Sequence, residues 1–209
     1  MVENQLRRRG IADERVLGAM GEVPREEFVP EEMRSSAYSD SALPIGYEQT
    51  ISQPWVVAAI CQALDLHGSE RVLEIGTGSG YSGAVLARLG ARVVSLERVP
   101  ELAEGARRSL ERLGIANVEV VVGDGSRGYP AGAPYDAIAV HAATPEAPHS
   151  LLAELGPDGR LVVPIATGSA DLLTAFVREN GNLRQETIGP CRFVPLIGAE
   201  GFNPPEPPD

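Results

Sequence analysis

The stretch RVLEIGTGSG, residues 71–80, decides the fold of this chain. Its first part, Val72 to Ile75, is a short apolar run that predicts a buried strand. Gly76, Gly78 and Gly80 follow at once, before a helix-like run. Glycine lets the backbone approach a ligand closely because it has no Cβ. A strand, a glycine turn and a helix start in this order predict a nucleotide-binding edge of an α/β sheet.

Two kinds of ligand fit this edge. Gly76-x-Gly78-x-Gly80 behind the acidic Glu74 is the pattern of S-adenosylmethionine methyltransferases, whereas Gly78-x-Gly80-x-x-Gly83 matches the dinucleotide fingerprint. That fingerprint expects its first glycine directly after the strand, and a carboxylate at this place would face a ligand that is already anionic. We therefore favour S-adenosylmethionine, with S-adenosylhomocysteine as product, and keep an NAD(P)-binding oxidoreductase as the alternative.

Length and charge narrow the class of protein. A chain of 209 residues suits one domain with a sizeable core, and it contains no apolar run of about 18 residues, so no membrane helix is expected. The first residues lack the apolar segment of a secretory signal. Cys61 and Cys191 lie far apart and are expected to be reduced, which favours the cytoplasm. The net charge of −11 argues against a nucleic-acid partner.

Strands and helices alternate after residue 70. We predict strands over residues 71–75, 91–96, 117–122, 135–140 and 160–163, with helices over 79–89, 100–113 and 147–155 between them. Two further apolar runs flank Asn180-Gly181, which is a strong hairpin signal. The sequence therefore predicts an α/β fold with a doubly wound, mostly parallel seven-stranded sheet that ends in an antiparallel hairpin.

The first third of the chain is less regular. We expect two helices within residues 1–21, the second capped by Asp13, and a long aperiodic loop over residues 37–53. Loops of this length in a compact domain are usually functional. Ser52 is the expected N-cap of a helix that opens at Pro54 and runs to about residue 66.

The whole chain is expected to form one domain over residues 1–202. Residues 1–66 supply the N-terminal helices and the loop, and residues 71–202 supply the core with the glycine turn. The tail, residues 203–209, is NPPEPPD, which cannot build a packed core and is expected to be disordered.

Three acidic residues follow the first three core strands. Glu74 ends the first strand, Glu97 the second, and Asp124 lies between two glycines after the third. Glu97 can accept both ribose hydroxyls and Asp124 can accept from an adenine amine, because parallel strands present their carboxyl ends at one ligand edge. These positions describe an adenosine pocket without a place for phosphate. We expect no metal site, because His, Cys and carboxylate residues are not clustered.

Longer motifs identify a family. The chain resembles the protein-L-isoaspartate O-methyltransferases in five stretches. They are the opening MVENQLRRRG, LPIGYEQTISQP (residues 43–54), VLEIGTGSGY (72–81), VVGDGSRGYPAGAPYDAI (121–138) and RFVPL (192–196). The match covers nearly the whole chain except its tail. The glycine motif is shared by many methyltransferases, whereas the QTISQP block is far more specific.

The resemblance implies an enzyme of protein repair. Family members methylate the free α-carboxylate of L-isoaspartyl residues in damaged proteins and peptides, and the ester then closes to a succinimide that hydrolyses in part to aspartate. The resemblance also implies a monomer, with Ser52 as the catalytic residue and Thr50, Ile51 and Ser52 as the substrate-binding set. The expected cofactor-binding set comprises Ile45, Gly46, Tyr47, Glu48, Glu74, Gly76, Gly78, Ser79, Gly80, Glu97, Arg98, Asp124 and Gly125.

The chemistry of these residue types agrees with that role. The acceptor carboxylate is ionised at neutral pH, so no general base is needed and His141, the only histidine at the active edge, is not required as one. A neutral hydroxyl such as that of Ser52 or Thr50 can hold one carboxylate oxygen without quenching it.

Two positions depart from the family pattern. Glu48 stands where bacterial members usually have glycine, and Trp55 stands where His or Tyr is common. We expect Trp55 either to close the cofactor pocket or to be a core aromatic residue. Two alternatives stay open: a relative that methylates a specific aspartate of a biosynthetic peptide to form an aspartimide, and a catalytically silent S-adenosylmethionine-binding module.

Overall fold

The computed structural model describes residues 1–204; residues 205–209, which make up most of the tail predicted to be disordered, lie outside the described residues. The strands are β1 Leu43–Gly46, β2 Gln49–Ile51, β3 Arg71–Ile75, β4 Arg92–Glu97, β5 Val118–Val122, β6 Tyr135–Val140, β7 Leu155–Ala166, β8 Asp171–Glu179 and β9 Asn182–Cys191. The α-helices are α1 Glu14–Glu22, α2 Pro54–Leu64, α3 Tyr81–Leu89, α4 Pro100–Arg112 and α5 His149–Glu154.

A seven-stranded sheet forms the centre of the molecule, in the order β5-β4-β3-β6-β7-β8-β9. Strands β3 to β7 pair in parallel, and β8 and β9 add an antiparallel meander at one edge. This confirms the predicted α/β fold. Strand β3 lies between β4 and β6, where the strand order reverses, and a parallel sheet opens a ligand crevice at such a point.

Both faces of the central strand β3 are buried. Val72 packs with α1, α2 and α3 on one face, while Leu73 and Ile75 pack with Leu151 of α5 on the other. Side chains alternate along a strand, so a strand that is covered on both faces needs a continuous apolar run. The single break in the run of β3 is Glu74, which is fully buried.

Several local predictions are confirmed. Asp13 caps α1, since its carboxylate accepts from the backbone N–H groups of Arg15 and Val16. Asn180 and Gly181 have φ of +52° and +78°, as a tight two-residue hairpin turn requires. Helix α3 begins at Tyr81, two residues later than predicted, because the glycine turn continues through residue 80.

The segment before the sheet corrects three predictions. The expected aperiodic loop contains the antiparallel hairpin β1–β2, and the first of the expected N-terminal helices is only a short π-turn, Val2–Leu6, followed by a 3₁₀ turn, Arg7–Arg9. The prediction that Ser52 caps α2 is wrong. Gln53 is the N-cap residue, with the extended backbone that a residue before proline prefers, and it makes no side-chain cap hydrogen bond. Ser52 thus stands one residue outside the helix.

No helix within residues 1–204 is both long and apolar enough to cross a bilayer. In the same residues, no group of three or more His, Cys, Asp or Glu side chains is placed to hold a metal ion.

Candidate active site

The glycine turn is built from left-handed backbone. Gly76, Gly78 and Gly80 have φ of +89°, +53° and +91°, a region that residues with a Cβ rarely enter. The backbone N–H groups of Gly76 and Thr77 donate to the carbonyl oxygen of Leu96 at 2.9 and 3.2 Å, which fixes the turn to the end of β4. A Cβ on Gly78 would lie 3.3 Å from the side chain of Ile45, so the hairpin β1–β2 closes over the turn.

A cleft of about 820 Å³, open mouth included, lies at the carboxyl ends of β3, β4 and β6. Of the residues predicted to bind cofactor or substrate, the cleft wall contains Thr50, Ile51, Ser52, Gly76, Gly78, Ser79, Glu97, Arg98 and Gly125. The predicted residues that are not part of this wall are Ile45, Gly46, Tyr47, Glu48, Glu74, Gly80 and Asp124.

Glu97 is the best-held carboxylate of the cleft. It is 7% exposed, and its two oxygens accept from the backbone N–H groups of Gly78 at 2.8 Å and Val99 at 2.9 Å. A carboxylate has about four acceptor sites, so each oxygen of Glu97 keeps one for a ligand. Two fixed acceptors side by side fit a vicinal diol and repel a phosphate.

Asp124 faces its own loop and the C-terminal segment. Its carboxylate accepts from the N–H and the hydroxyl of Ser126 at 3.0 and 2.7 Å, and from the N–H of Ala199 at 2.9 Å. Partial burial raises the pKa of Asp124, but the hydrogen bonds from Ala199 and Ser126 outweigh this, and the net pKa is lowered. The carboxylate oxygen of Asp124 that accepts from Ala199 keeps one further acceptor site for a ligand.

Glu74 lies beneath the floor of the cleft. Its carboxylate accepts from the hydroxyl of Ser82 and, at 2.5 Å, from that of Ser95, and Ser95 also contacts the Thr77 hydroxyl at 2.5 Å. Burial raises the pKa of Glu74 to about 7. The carboxylate therefore supports Thr77 and Ser82, which do line the cleft.

The tip of the hairpin β1–β2 lies at a neighbouring groove. Ile45 and Tyr47 line this groove together with Phe28 of the N-terminal region, and Gly78 and Ser79 border both the groove and the cleft. Tyr47 and Glu48 both have positive φ, +52° and +58°, although neither is glycine. The hairpin tip is thus in a backbone conformation that its residues disfavour.

A second groove, of about 770 Å³ with its open mouth, meets the cleft from the other side. Trp55 lines this groove and not the cleft, so it does not close the predicted cofactor pocket; its half-buried side chain packs against the core, as the alternative role predicted. The guanidinium of Arg9 lies 4.6 Å from the centre of the Trp55 ring, and the indole N–H donates to the Arg9 carbonyl at 3.2 Å. Asp40 pairs with Arg9 at 2.6 Å.

Four residues line both the cleft and the groove: Thr50, Ser52, His141 and Val194. They form the junction of the two cavities. Two of them come from the segment before the sheet, one follows β6, and one follows β9, so residues far apart in sequence meet at one point.

The walls of the two cavities include residues that were not among the predicted site residues. Val194 to Ile197 form one wall, held by backbone hydrogen bonds of 2.8 Å from Ala143 to Val194 and of 2.7 Å from Leu196 to Ala143. This segment overlaps the RFVPL motif, which was the available signal. His141 is 8% exposed and lines both cavities, although the acceptor chemistry gave no reason to require it.

Comparison with known proteins assigns the family. The model of the protein-L-isoaspartate(D-aspartate) O-methyltransferase family matches residues 1–201. The chain belongs to this family.

Individual relatives agree with the assignment. A protein-L-isoaspartate O-methyltransferase of Methanoculleus marisnigri is 52% identical over 97% of this chain and 92% of its own length. Another, of Rhodopseudomonas palustris, is 54% identical over 97% of this chain and 83% of its own length.

Solved structures show the same fold. A protein-L-isoaspartate O-methyltransferase superposes with a TM-score of 0.84 at 34% identity, covering 96% of this chain and 67% of that one. A beta-aspartate methyltransferase of Plasmodium falciparum, solved with S-adenosyl-L-homocysteine, gives 0.82 at 26% identity, covering 95% and 97%.

The protein is therefore an S-adenosylmethionine-dependent methyltransferase, and its activity is that of its family, methylation of isoaspartyl residues in proteins. Nothing in the site or among the relatives favours a nicotinamide cofactor or an aspartimide-forming relative. The residues of the cleft fit the cofactor, because Glu97 offers two fixed acceptors to a ribose and the left-handed glycines leave the turn open to a ligand.

Proposed function

We propose that the cleft holds S-adenosylmethionine, that the groove holds the damaged peptide, and that Ser52 binds the acceptor carboxylate where the two cavities meet. The observation that carries this proposal is the sharing of Thr50 and Ser52 by both cavities. A group transfer needs donor and acceptor in contact, so the shared wall is where the reacting atoms must lie.

The cofactor side of the proposal depends on backbone and carboxylate groups. Glu97 accepts the ribose hydroxyls, and the backbone of Gly76 and Gly78, which line the cleft, lies close to the rest of the cofactor because neither residue has a Cβ. When bound, S-adenosylmethionine supplies an electrophilic methyl group on a sulfonium sulfur. Gly125 completes the wall on the adenine side, where a Cβ would come within 2.5 Å of Ile75.

The acceptor side depends on alignment and exclusion of water. The isoaspartyl carboxylate is ionised at neutral pH, so it needs no base to become a nucleophile. The Ser52 hydroxyl donates to one of its oxygens and leaves the other free to attack. The apolar side chains of Val194 and Leu196 keep water from the junction, which strengthens the nucleophile.

The proposal is tested by methyl transfer to two peptides of identical sequence, one with isoaspartate and one with aspartate. We expect transfer to the isoaspartyl peptide alone. Ser52→Ala should lower kcat/KM for it about 10- to 100-fold, the worth of one hydrogen bond to a charged group, and leave S-adenosylhomocysteine binding unchanged. Ser41→Ala, an exposed hydroxyl in the same segment, is the control. Full activity of Ser52→Ala would contradict the assignment, and equal labelling of the aspartyl peptide would point to the aspartimide-forming alternative.

The remaining proposals concern the surroundings of the enzyme. The charge of −11 supports the absence of a nucleic-acid partner, and two unpaired cysteines, Cys61 and Cys191, support a cytoplasmic location. We also propose that the protein acts as a monomer, since each of the two cavities is walled by residues of one chain. Light scattering of the eluting protein measures the mass, and a dimer would contradict this.

A further inference from the structure

His141 occupies a position in this site that no step described above explains. It is the first residue after β6, and its backbone N–H donates to the carbonyl oxygen of Ile75 at 2.8 Å. This bond fixes the backbone of His141 to the end of β3. Its ring borders the cofactor cleft and the peptide groove at once, beside Thr50 and Ser52.

The ring nitrogens of His141 are both without a partner. Neither Nδ1 nor Nε2 makes a hydrogen bond within the described residues, although both are buried. The Nε2 atom is 3.4 Å from an oxygen of Glu74, but the geometry of the N–H does not make this contact a hydrogen bond. A buried polar group without a partner is destabilising, so native proteins seldom keep one without a reason.

Both ring nitrogens are buried in this structure, so the imidazole turns about its Cβ–Cγ bond to present an N–H to a ligand at the junction, where the residue keeps its 8% exposure. Beside His141 the wall contains the apolar residues Ala142 and Val194 and the hydroxyl-bearing residues Thr50 and Ser52. The reaction brings two charged groups together at the junction, the sulfonium of the methyl donor and the carboxylate of the isoaspartyl residue, and of these two only the carboxylate accepts a hydrogen bond.

We propose that His141 is a second substrate-binding residue, and that its imidazole donates its one N–H to the acceptor carboxylate across the junction from Ser52. This inference rests on the assignment of the two cavities made above. Two neutral donors then hold the carboxylate from two sides and define which oxygen lone pair faces the methyl group.

A neutral donor suits this reaction better than a cation. Burial lowers the pKa of His141 to about 4, so the ring carries a single proton at neutral pH. An imidazolium would neutralise the attacking oxygen, whereas one N–H orients it and leaves its charge available. The charged group nearest the ring is Glu74 from β3, 3.4 Å from Nε2. Thr50 and Ser52 line the same two cavities as His141, and Arg9 and Arg192 line the groove.

The test compares three variants of the whole enzyme. His141→Leu removes the N–H, whereas His141→Asn and His141→Gln place an amide N–H near the positions of Nδ1 and Nε2. We expect the Leu variant to lose about 10- to 100-fold in kcat/KM for the isoaspartyl peptide, and one of the two amides to recover most of it. The KM for S-adenosylmethionine and the melting-temperature rise caused by S-adenosylhomocysteine should stay close to the wild-type values.

A double-mutant cycle gives a second readout. If Ser52 and His141 hold the same carboxylate, the loss in Ser52→Ala combined with His141→Leu should differ from the product of the single losses by several-fold. A Leu variant that binds S-adenosylhomocysteine normally and keeps its peptide kcat/KM within two-fold would overturn the role of His141.

Two other outcomes would distinguish an error in the role of His141 from an error in the proposed function. Loss of S-adenosylhomocysteine binding in all three variants would assign His141 to the cofactor and also overturn the proposal. Normal activity of Ser52→Ala would contradict the proposed function itself, whatever the His141 variants do.

Discussion

The buried carboxylate of Glu74 should make the stability of this enzyme fall with rising pH. It is fully buried, accepts from the hydroxyls of Ser82 and Ser95, and has a pKa raised from 4.5 to about 7 by burial. Between pH 4.5 and 7 the native protein keeps a proton that the unfolded chain has lost. Stability therefore decreases through this window and stays lower above it.

The magnitude follows from the shift in the pKa. A change from 4.5 to about 7 corresponds to about 3 kcal/mol, of which about 2 kcal/mol falls between pH 5.5 and pH 8. Glu74→Gln has nearly the same shape, carries no titrating proton, and lets the hydroxyls of Ser82 and Ser95 rotate to suit its amide. The free energy of unfolding of the variant, relative to that of wild type, should thus increase by about 2 kcal/mol when the pH is raised from 5.5 to 8.

The assay is urea unfolding of both proteins at the two pH values. His141, whose pKa is lowered by burial, contributes a change of the opposite sign below pH 6.5. Because its Nε2 lies 3.4 Å from Glu74, the comparison is repeated with His141→Leu in both proteins. Glu111→Gln, an exposed carboxylate on α4, controls for the general effect of removing a charge. A difference between the two proteins that changes by less than about 0.5 kcal/mol from pH 5.5 to pH 8 would refute the reasoning, because it would mean that Glu74 is already ionised in the native protein at pH 5.5.

Three further changes test other parts of the structure. Glu97→Ala leaves the N–H groups of Gly78 and Val99 without an acceptor and should weaken S-adenosylhomocysteine binding at least 10-fold, as measured by calorimetry. Glu97→Gln should have an intermediate affinity. An unchanged Kd would contradict the place of Glu97 at the ribose. Glu48→Gly relieves a φ of +58° and should raise the melting temperature by about 1–3 °C, whereas Glu146→Gly, in an exposed bend, should lower it. Trp55→Ala removes the cation–π contact with Arg9 and should raise the KM for the peptide several-fold without changing the KM for S-adenosylmethionine. Equal changes in the two KM values would argue against the groove as the peptide site.

The central sheet and the cofactor edge were predictable because their signals are local. An apolar run, left-handed glycines and a carboxylate after each strand lie within a few residues of one another, and Glu97 lines the cleft as predicted. The direction of Glu74 was not predictable in this way. Whether a strand residue faces the ligand or the interior depends on which helices cover the sheet, and here Ser82 of α3 and Ser95 of β4 surround its carboxylate.

The peptide side of the site depends on contacts between distant segments. The short strands β1 and β2 lack an apolar alternation, so the hairpin was expected to be a loop. Proline at position 54 and the extended backbone of Gln53 moved the start of α2 away from Ser52. His141 follows β6 and Val194 follows β9, and of the two only Val194 lies in a recognisable motif, RFVPL.

The segment from Val194 to Ala199 gives the order in which this enzyme can become competent during synthesis. It walls the cleft, pairs with Ala143 through its backbone, and donates to Asp124 through the N–H of Ala199. A nascent chain that has emerged only to β9 can form all seven strands of the sheet and yet lacks this wall. Binding of the methyl donor should therefore begin only once about 200 residues have left the ribosome. An incomplete chain that lacks this segment should not bind S-adenosylmethionine.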